Sequence, residues 1–90
     1  MGENRWQIII HRKAEKTLKR LRGEMLERTR QAIRSLTENP RPVGHKKMMG
    51  YDNLYRIRIG DWRIIYAIED DTLIVLILEI GPRSGIYRNY

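Results

Sequence analysis

Ninety residues suffice for one domain with a small core, expected here to span residues 1–90, and 41% hydrophobic with 32% charged residues is a globular balance, not a disordered one. Eighteen Lys and Arg against eleven Asp and Glu leave a net charge of +7, which favours a polyanionic partner such as RNA, DNA, an acidic protein or an anionic surface. The absence of cysteine excludes disulfides, zinc–thiolate centres and thiol catalysis, and no apolar run is long enough to span a bilayer.

The first expected element is a strand from Trp6 to Ile10, rich in β-branched residues. Arg5 and Gln7 interrupt the opening, so no secretory signal is read there and a cytoplasmic location is expected. Ala14, Leu18 and Leu21 then recur at helical spacing, Gly23 punctuates, and Met25, Thr29, Ile33 and Leu36 continue the period. Two antiparallel helices joined at Gly23 are expected, ended by Asn39-Pro40-Arg41-Pro42 because proline cannot continue the hydrogen-bond ladder.

Val43 to Asn53 reads as a loop. Leu54–Ile59 and Trp62–Ile68 read as strands of a hairpin whose two-residue turn is Gly60-Asp61. A polar turn, Glu69 to Thr72, leads to Leu73–Ile80. That run is apolar on both alternating faces and is therefore expected to be the central strand, ended by Gly81-Pro82. The fold class is α+β: an N-terminal strand, a two-helix hairpin and an antiparallel three-stranded meander, β-α-α-β-β-β, with the helices covering one face of the sheet.

The uncovered face carries the functional signal. Thirteen of the basic residues precede Tyr51; the five after it are all arginine, namely Arg56, Arg58, Arg63, Arg83 and Arg88. With Gly60-Asp61 as the turn, Arg58 opposes Arg63 and Arg56 opposes Ile65, and period-two alternation puts Arg56, Arg58 and Arg63 on one face. Like charges directly across a strand pair are destabilising, and nothing acidic is expected at a cross-strand position to neutralise them. An anionic ligand is the simplest reason for the cluster, since guanidinium forks match phosphate oxygens. The plainer alternative is a solvated outer face.

After Gly81-Pro82 a turn could return Arg83 and Tyr87 beside the arginines, Arg83 as a phosphate contact and Tyr87 to stack on a base, exchange a proton or simply pack on the sheet. Lys46 and Lys47 could hold RNA from the loop before the hairpin. His11 and His45 read as surface histidines, Asp70 and Asp71 as turn residues, and no arrangement of them points to a metal; no cofactor is expected.

The stretch Gly50-Tyr51-Asp52-Asn53-Leu54-Tyr55-Arg56-Ile57-Arg58-Ile59-Gly60-Asp61-Trp62-Arg63-Ile64-Ile65-Tyr66 resembles the core signature of the RelE/ParE superfamily of toxins, and Gly81-Pro82-Arg83-Ser84-Gly85-Ile86-Tyr87-Arg88 resembles its closing G-x-R…Y-R segment. Ala14-Glu15-Lys16 with Leu18 and Leu21, and Asn39-Pro40-Arg41-Pro42, are similar to its first helix and its N-P-x-P helix end, so nearly the whole chain is covered in order. The hairpin segment is the specific part. The basic set on the sheet with the terminal tyrosine is the RelE-like, not the ParE-like, pattern.

The resemblance implies a RelE-type toxin of a type II toxin–antitoxin pair, a ribosome-dependent endoribonuclease that cleaves mRNA in the A site. The implied chemistry is metal-free attack of the substrate's own 2′-hydroxyl on the adjacent phosphorus, giving a 2′,3′-cyclic phosphate and a 5′-hydroxyl. The implied catalytic residues are Arg56, Arg58, Arg63, Arg83 and Tyr87, with Lys46, Lys47 and Arg88 binding substrate. The implied partners are a RelB-like antitoxin, the ribosome with its mRNA, and operator DNA only through the antitoxin complex; no membrane is involved. Two departures stand out. Well-understood members carry Lys at the position of Arg56 or Arg58, and a guanidinium, unlike an amine, does not serve as an acid or base near neutral pH. Pro82 stands where relatives often have a basic residue or His. The alternatives are a ParE-like inhibitor of DNA gyrase and a non-catalytic RNA- or ribosome-binding module.

Overall fold

The computed structural model describes residues 6–82. The elements run β1 (Gln7–Ile10), α1 (Arg12–Arg20), α2 (Gly23–Ser35), β2 (Lys46–Lys47), β3 (Leu54–Ile59), β4 (Trp62–Glu69) and β5 (Ile74–Pro82). The five strands form one sheet in the order β1-β5-β4-β3-β2, with β1 parallel to β5 and every other pair antiparallel. Among the described residues no helix is long and apolar enough to cross a membrane.

The expected α+β order holds. Both helices lie on one face, where Ala14, Ile33 and Leu36 pack against Tyr55, Ile57 and Ile59 of β3, Ile64, Tyr66 and Ile68 of β4, and Val75, Ile77 and Ile80 of β5. His11 is more than the surface residue the sequence implies. It caps α1, its Nδ1 accepting from the Lys13 N–H at 3.1 Å, which satisfies one of the orphan donors of the first turn.

The strands depart from expectation beyond the one-residue differences at the start of β1 and the end of β4. Lys46 and Lys47, taken as loop, form a two-residue edge strand paired with Arg56 and Tyr55; a short, lysine-bearing edge resists pairing with another chain. The middle strand is β4, not the run before Gly81. β5 is apolar on both faces because it lies between β1 and β4, which makes it interior without making it central. β5 also continues through Gly81 and Pro82, opposite Arg63 and Trp62. Its last residue can be proline because no further ladder bond is demanded of it. Leu73 is not strand: it sits at φ 56° in the turn before β5, with its carbonyl accepting from Gln7 N–H at 2.9 Å.

The helix end is fastened to the sheet by side chains. Arg41 lays its fork on Asp70, Nη1 donating to Oδ1 at 3.2 Å and Nη2 to Oδ2 at 3.0 Å, and covers the ring of Tyr55 at 5.4 Å. Tyr55 in turn stacks on Tyr66, whose hydroxyl donates to the Pro40 carbonyl at 2.8 Å. Burial first, and the neighbouring Tyr55 second, push the Tyr66 phenol well above its ordinary value, so it remains a donor.

Candidate nucleic-acid interface

The β3–β4 hairpin sets the site. Gly60 takes φ 61° while Asp61 stays at negative φ, the pattern of a two-residue turn with glycine first, and the register follows: Ile59 with Trp62, Arg58 with Arg63, Ile57 with Ile64, Arg56 with Ile65. The isoleucines go to the helix core and Arg56, Arg58 and Arg63 to the opposite face. β2 extends the array, since Lys46 pairs with Arg56. Gly44, Lys46, Arg56, Arg58 and Arg63 line one open cleft of roughly 230 Å³.

The guanidiniums are held differently. Arg63 is buried and donates from Nη1 to the Trp62 carbonyl at 3.2 Å. Arg58 is exposed and donates from Nε to the Gly60 carbonyl at 3.0 Å. Among the described residues no carboxylate lies within ion-pairing distance of Arg58 or Arg63.

The loop before β2 is also built. His45 is half-buried, not a surface residue, with Nδ1 at 2.7 Å from the Pro42 carbonyl and its ring 5.8 Å from that of Tyr55. The chain from Arg41 to His45 is thereby tied to the sheet just before Lys46 enters the cleft. Lys47 is set apart from Lys46: it pairs with Tyr55, which places it on the other parity, and it lines a separate surface with Met48, Met49 and Gly50.

The structure therefore brings together Arg56, Arg58, Arg63 and Lys46 and leaves Lys47 outside the group. Arg83, Tyr87 and Arg88 lie outside the described residues. One acidic residue was missed. Glu79 pairs in register with Ile65 on the arginine face, and its Oε2 lies 3.4 Å from Lys13 Nζ. No acidic residue among those described stands directly across from Arg56, Arg58 or Arg63, but a shift in strand parity, invisible to simple alternation, puts Glu79 on their face. Among the described residues no group of three or more His, Asp or Glu is placed to hold a metal ion.

Known proteins resemble this chain in sequence and fold. Residues 8–87 match the family described as the ParE toxin of the type II toxin–antitoxin system parDE. RelE1 of Methanocaldococcus jannaschii is 34% identical, covering 94% of this chain and 98% of its own length. A chain of the archaeal RelE–RelB complex from Pyrococcus horikoshii superposes with a TM-score of 0.79 at 28% identity, covering 90% of this chain and 98% of that one. A chain of the RelB–RelE antitoxin–toxin complex from Methanococcus jannaschii gives 0.73 at 26% identity, covering 91% and 98%.

Proposed function

This chain belongs to the RelE/ParE superfamily as a RelE-like toxin of a type II toxin–antitoxin system, and on that premise we propose that it is a ribosome-dependent endoribonuclease that cleaves mRNA in the A site without a metal. The observation that carries this reading is the cleft formed by Lys46, Arg56, Arg58 and Arg63 on the sheet face opposite the helices. Such a cleft suits an RNA phosphodiester: several fixed positive charges meet where negative charge develops when the 2′-hydroxyl attacks phosphorus.

In this reading Arg63 and Arg83 neutralise the phosphorane-like transition state, and Arg56 and Arg58 orient the scissile phosphate. Lys46 and Arg88 hold neighbouring phosphates, whereas Lys47, on the opposite parity, is left out of the set. Tyr87 stacks on a base or accepts the 2′-hydroxyl proton, a role that no guanidinium can fill. The whole chain, 1–90, acts as one domain in the cytoplasm. Its partner is a RelB-like antitoxin, by analogy with the complexes of its structural relatives. An acidic antitoxin would be drawn to the net charge of +7.

The test is to induce the chain in growing cells and map mRNA 5′ ends beside an Arg63→Ala control. New ends inside translated codons are expected, with cleavage reduced by about 10²–10³-fold in the control, the usual cost of losing one preorganised donor to a developing anion. Growth arrest with intact mRNA and a DNA-damage response would instead favour gyrase inhibition, the reading to which the ParE description of the matching family leans. No arrest would favour a binding module.

A further inference from the structure

β5 is irregular at one place. Tyr66 pairs with Ile77 and Ile65 with Glu79, so Leu78 is an extra residue on that strand. Val75 and Ile77 face the helices, and strict alternation would send residue 79 into the same apolar core. The bulge reverses the parity: Ile80 takes the core position and Glu79 turns to the face that carries the arginines. Bulges beside functional sites re-aim single side chains in this way.

Glu79 lands next to Arg63. Across the sheet one row reads Arg56, Ile65, Glu79 and the next reads Arg58, Arg63, Gly81. Glu79 is therefore the diagonal neighbour of Arg63, at the about 7–8 Å typical of such pairs and within reach of an arginine side chain. Both residues are withdrawn from solvent, Arg63 at 8% exposure and Glu79 at 9%. Oε2 of Glu79 is engaged by Lys13 at 3.4 Å, whereas Oε1 is buried without a hydrogen-bond partner. Buried acceptors are almost always satisfied, and an orphan calls for an explanation. Arg63, for its part, spends Nη1 on the carbonyl of its own preceding residue, a contact that a swing of the side chain would release.

We infer that Glu79 is a positioning residue for Arg63, which takes up Oε1 when RNA occupies the cleft. This inference rests on the endoribonuclease reading above. One edge of the guanidinium then lies on the carboxylate and the other on the scissile phosphate, a use of the fork that a lysine could not copy. The carboxylate fixes the plane of the guanidinium and offsets the repulsion between Arg63 and Arg58 directly opposite it. Lys13 holds the other oxygen and keeps the carboxylate from turning away. Glu79 does not itself take the 2′-hydroxyl proton, because Oε1 is enclosed in the free chain.

The experiment is a double-mutant cycle on the full chain, reading single-turnover cleavage of mRNA on programmed ribosomes. Glu79→Gln keeps the shape and removes the charge. It is expected to slow cleavage by about 10–100-fold, the usual cost of losing a group that orients a functional side chain. The ribosome concentration for half-saturation and the melting temperature should stay close to wild type. In an Arg63→Ala background the same change is expected to cost nothing further. Wild-type cleavage by the folded Glu79→Gln protein would overturn the inference, leaving Glu79 a counter-ion of Lys13 alone. An equal further loss in the Arg63→Ala background would overturn it in favour of a proton acceptor. Where Glu79→Gln melts, Glu79→Asp carries the same cycle. If the wild-type chain cuts no mRNA, the endoribonuclease reading fails and takes this inference with it; cutting by wild type with an unaffected Glu79 variant fails this inference alone.

Discussion

Arg41 and Asp70, 29 positions apart in the chain, meet on the surface, and their bidentate contact ties the end of the helical segment to the turn between β4 and β5. The hydrogen bond from Arg41 holds the Asp70 carboxyl below the usual carboxylate range. A depressed acid contributes stability that is complete above its unfolded value and is lost as pH falls through its folded one. Melting temperature should therefore fall more steeply in the wild type than in Asp70→Asn as pH drops below about 4, where an ordinary aspartate titrates. The two proteins should converge at the acid end, a behaviour that melts in parallel buffers will check. The effect will be small, since exposed pairs contribute little. What the contact does decide is position: it keeps the Pro40–Pro42 segment, and through His45 the approach to Lys46, against the sheet.

Among the elements, α2 carries an evident defect. Thr29 is fully buried and its hydroxyl oxygen has no hydrogen-bond partner. Thr29→Val keeps the β-branched shape, differs little in helix propensity and removes the orphan. It is expected to stabilise the chain by about 1 kcal/mol, raising the melting temperature by about 4–8 °C for a domain of this size.

The elements also mark what could be read from the chain alone. The β3–β4 hairpin was legible to the residue, because a two-residue turn fixes the register and the register fixes the faces of Arg56, Arg58 and Arg63. The place of β5 was not, because apolar character on both faces distinguishes an interior strand from an edge but says nothing of how many strands lie beyond it. The parallel β1 makes the difference. Glu79 was missed for a related reason: the extra residue at Leu78 breaks the period on which face assignments depend. The separation of Lys46 from Lys47 came from pairing two residues that carry no strand signal of their own. The assignments to Arg83, Tyr87 and Arg88 fall outside the described residues.

For the whole molecule the dominant fact is a net charge of +7 on ninety residues. Each phosphate neutralised by a cation adds to the salt dependence of binding, with a slope of about 0.7 per contact on a single strand. Lys46, in the arginine cleft, is expected to be one such contact: Lys46→Ala should weaken RNA binding and flatten the plot of log affinity against log salt by about that amount. Lys47→Ala, on the opposite parity, should leave the slope unchanged. Titrations at several salt concentrations separate the two, and equal slopes for both variants would remove Lys46 from the substrate-binding set.

The sheet pairs residue 7 with residue 74, and β5 fills the gap between β1 and β4. A chain leaving a ribosome thus carries its first strand without a neighbour until β5 has been made, since so distant a pairing cannot be anticipated by local contacts. The same late segment brings Glu79 and Gly81 alongside Arg63. Until β5 emerges, the ribosome that makes this chain therefore holds only an unfinished sheet, and completion of the cationic face waits on that strand.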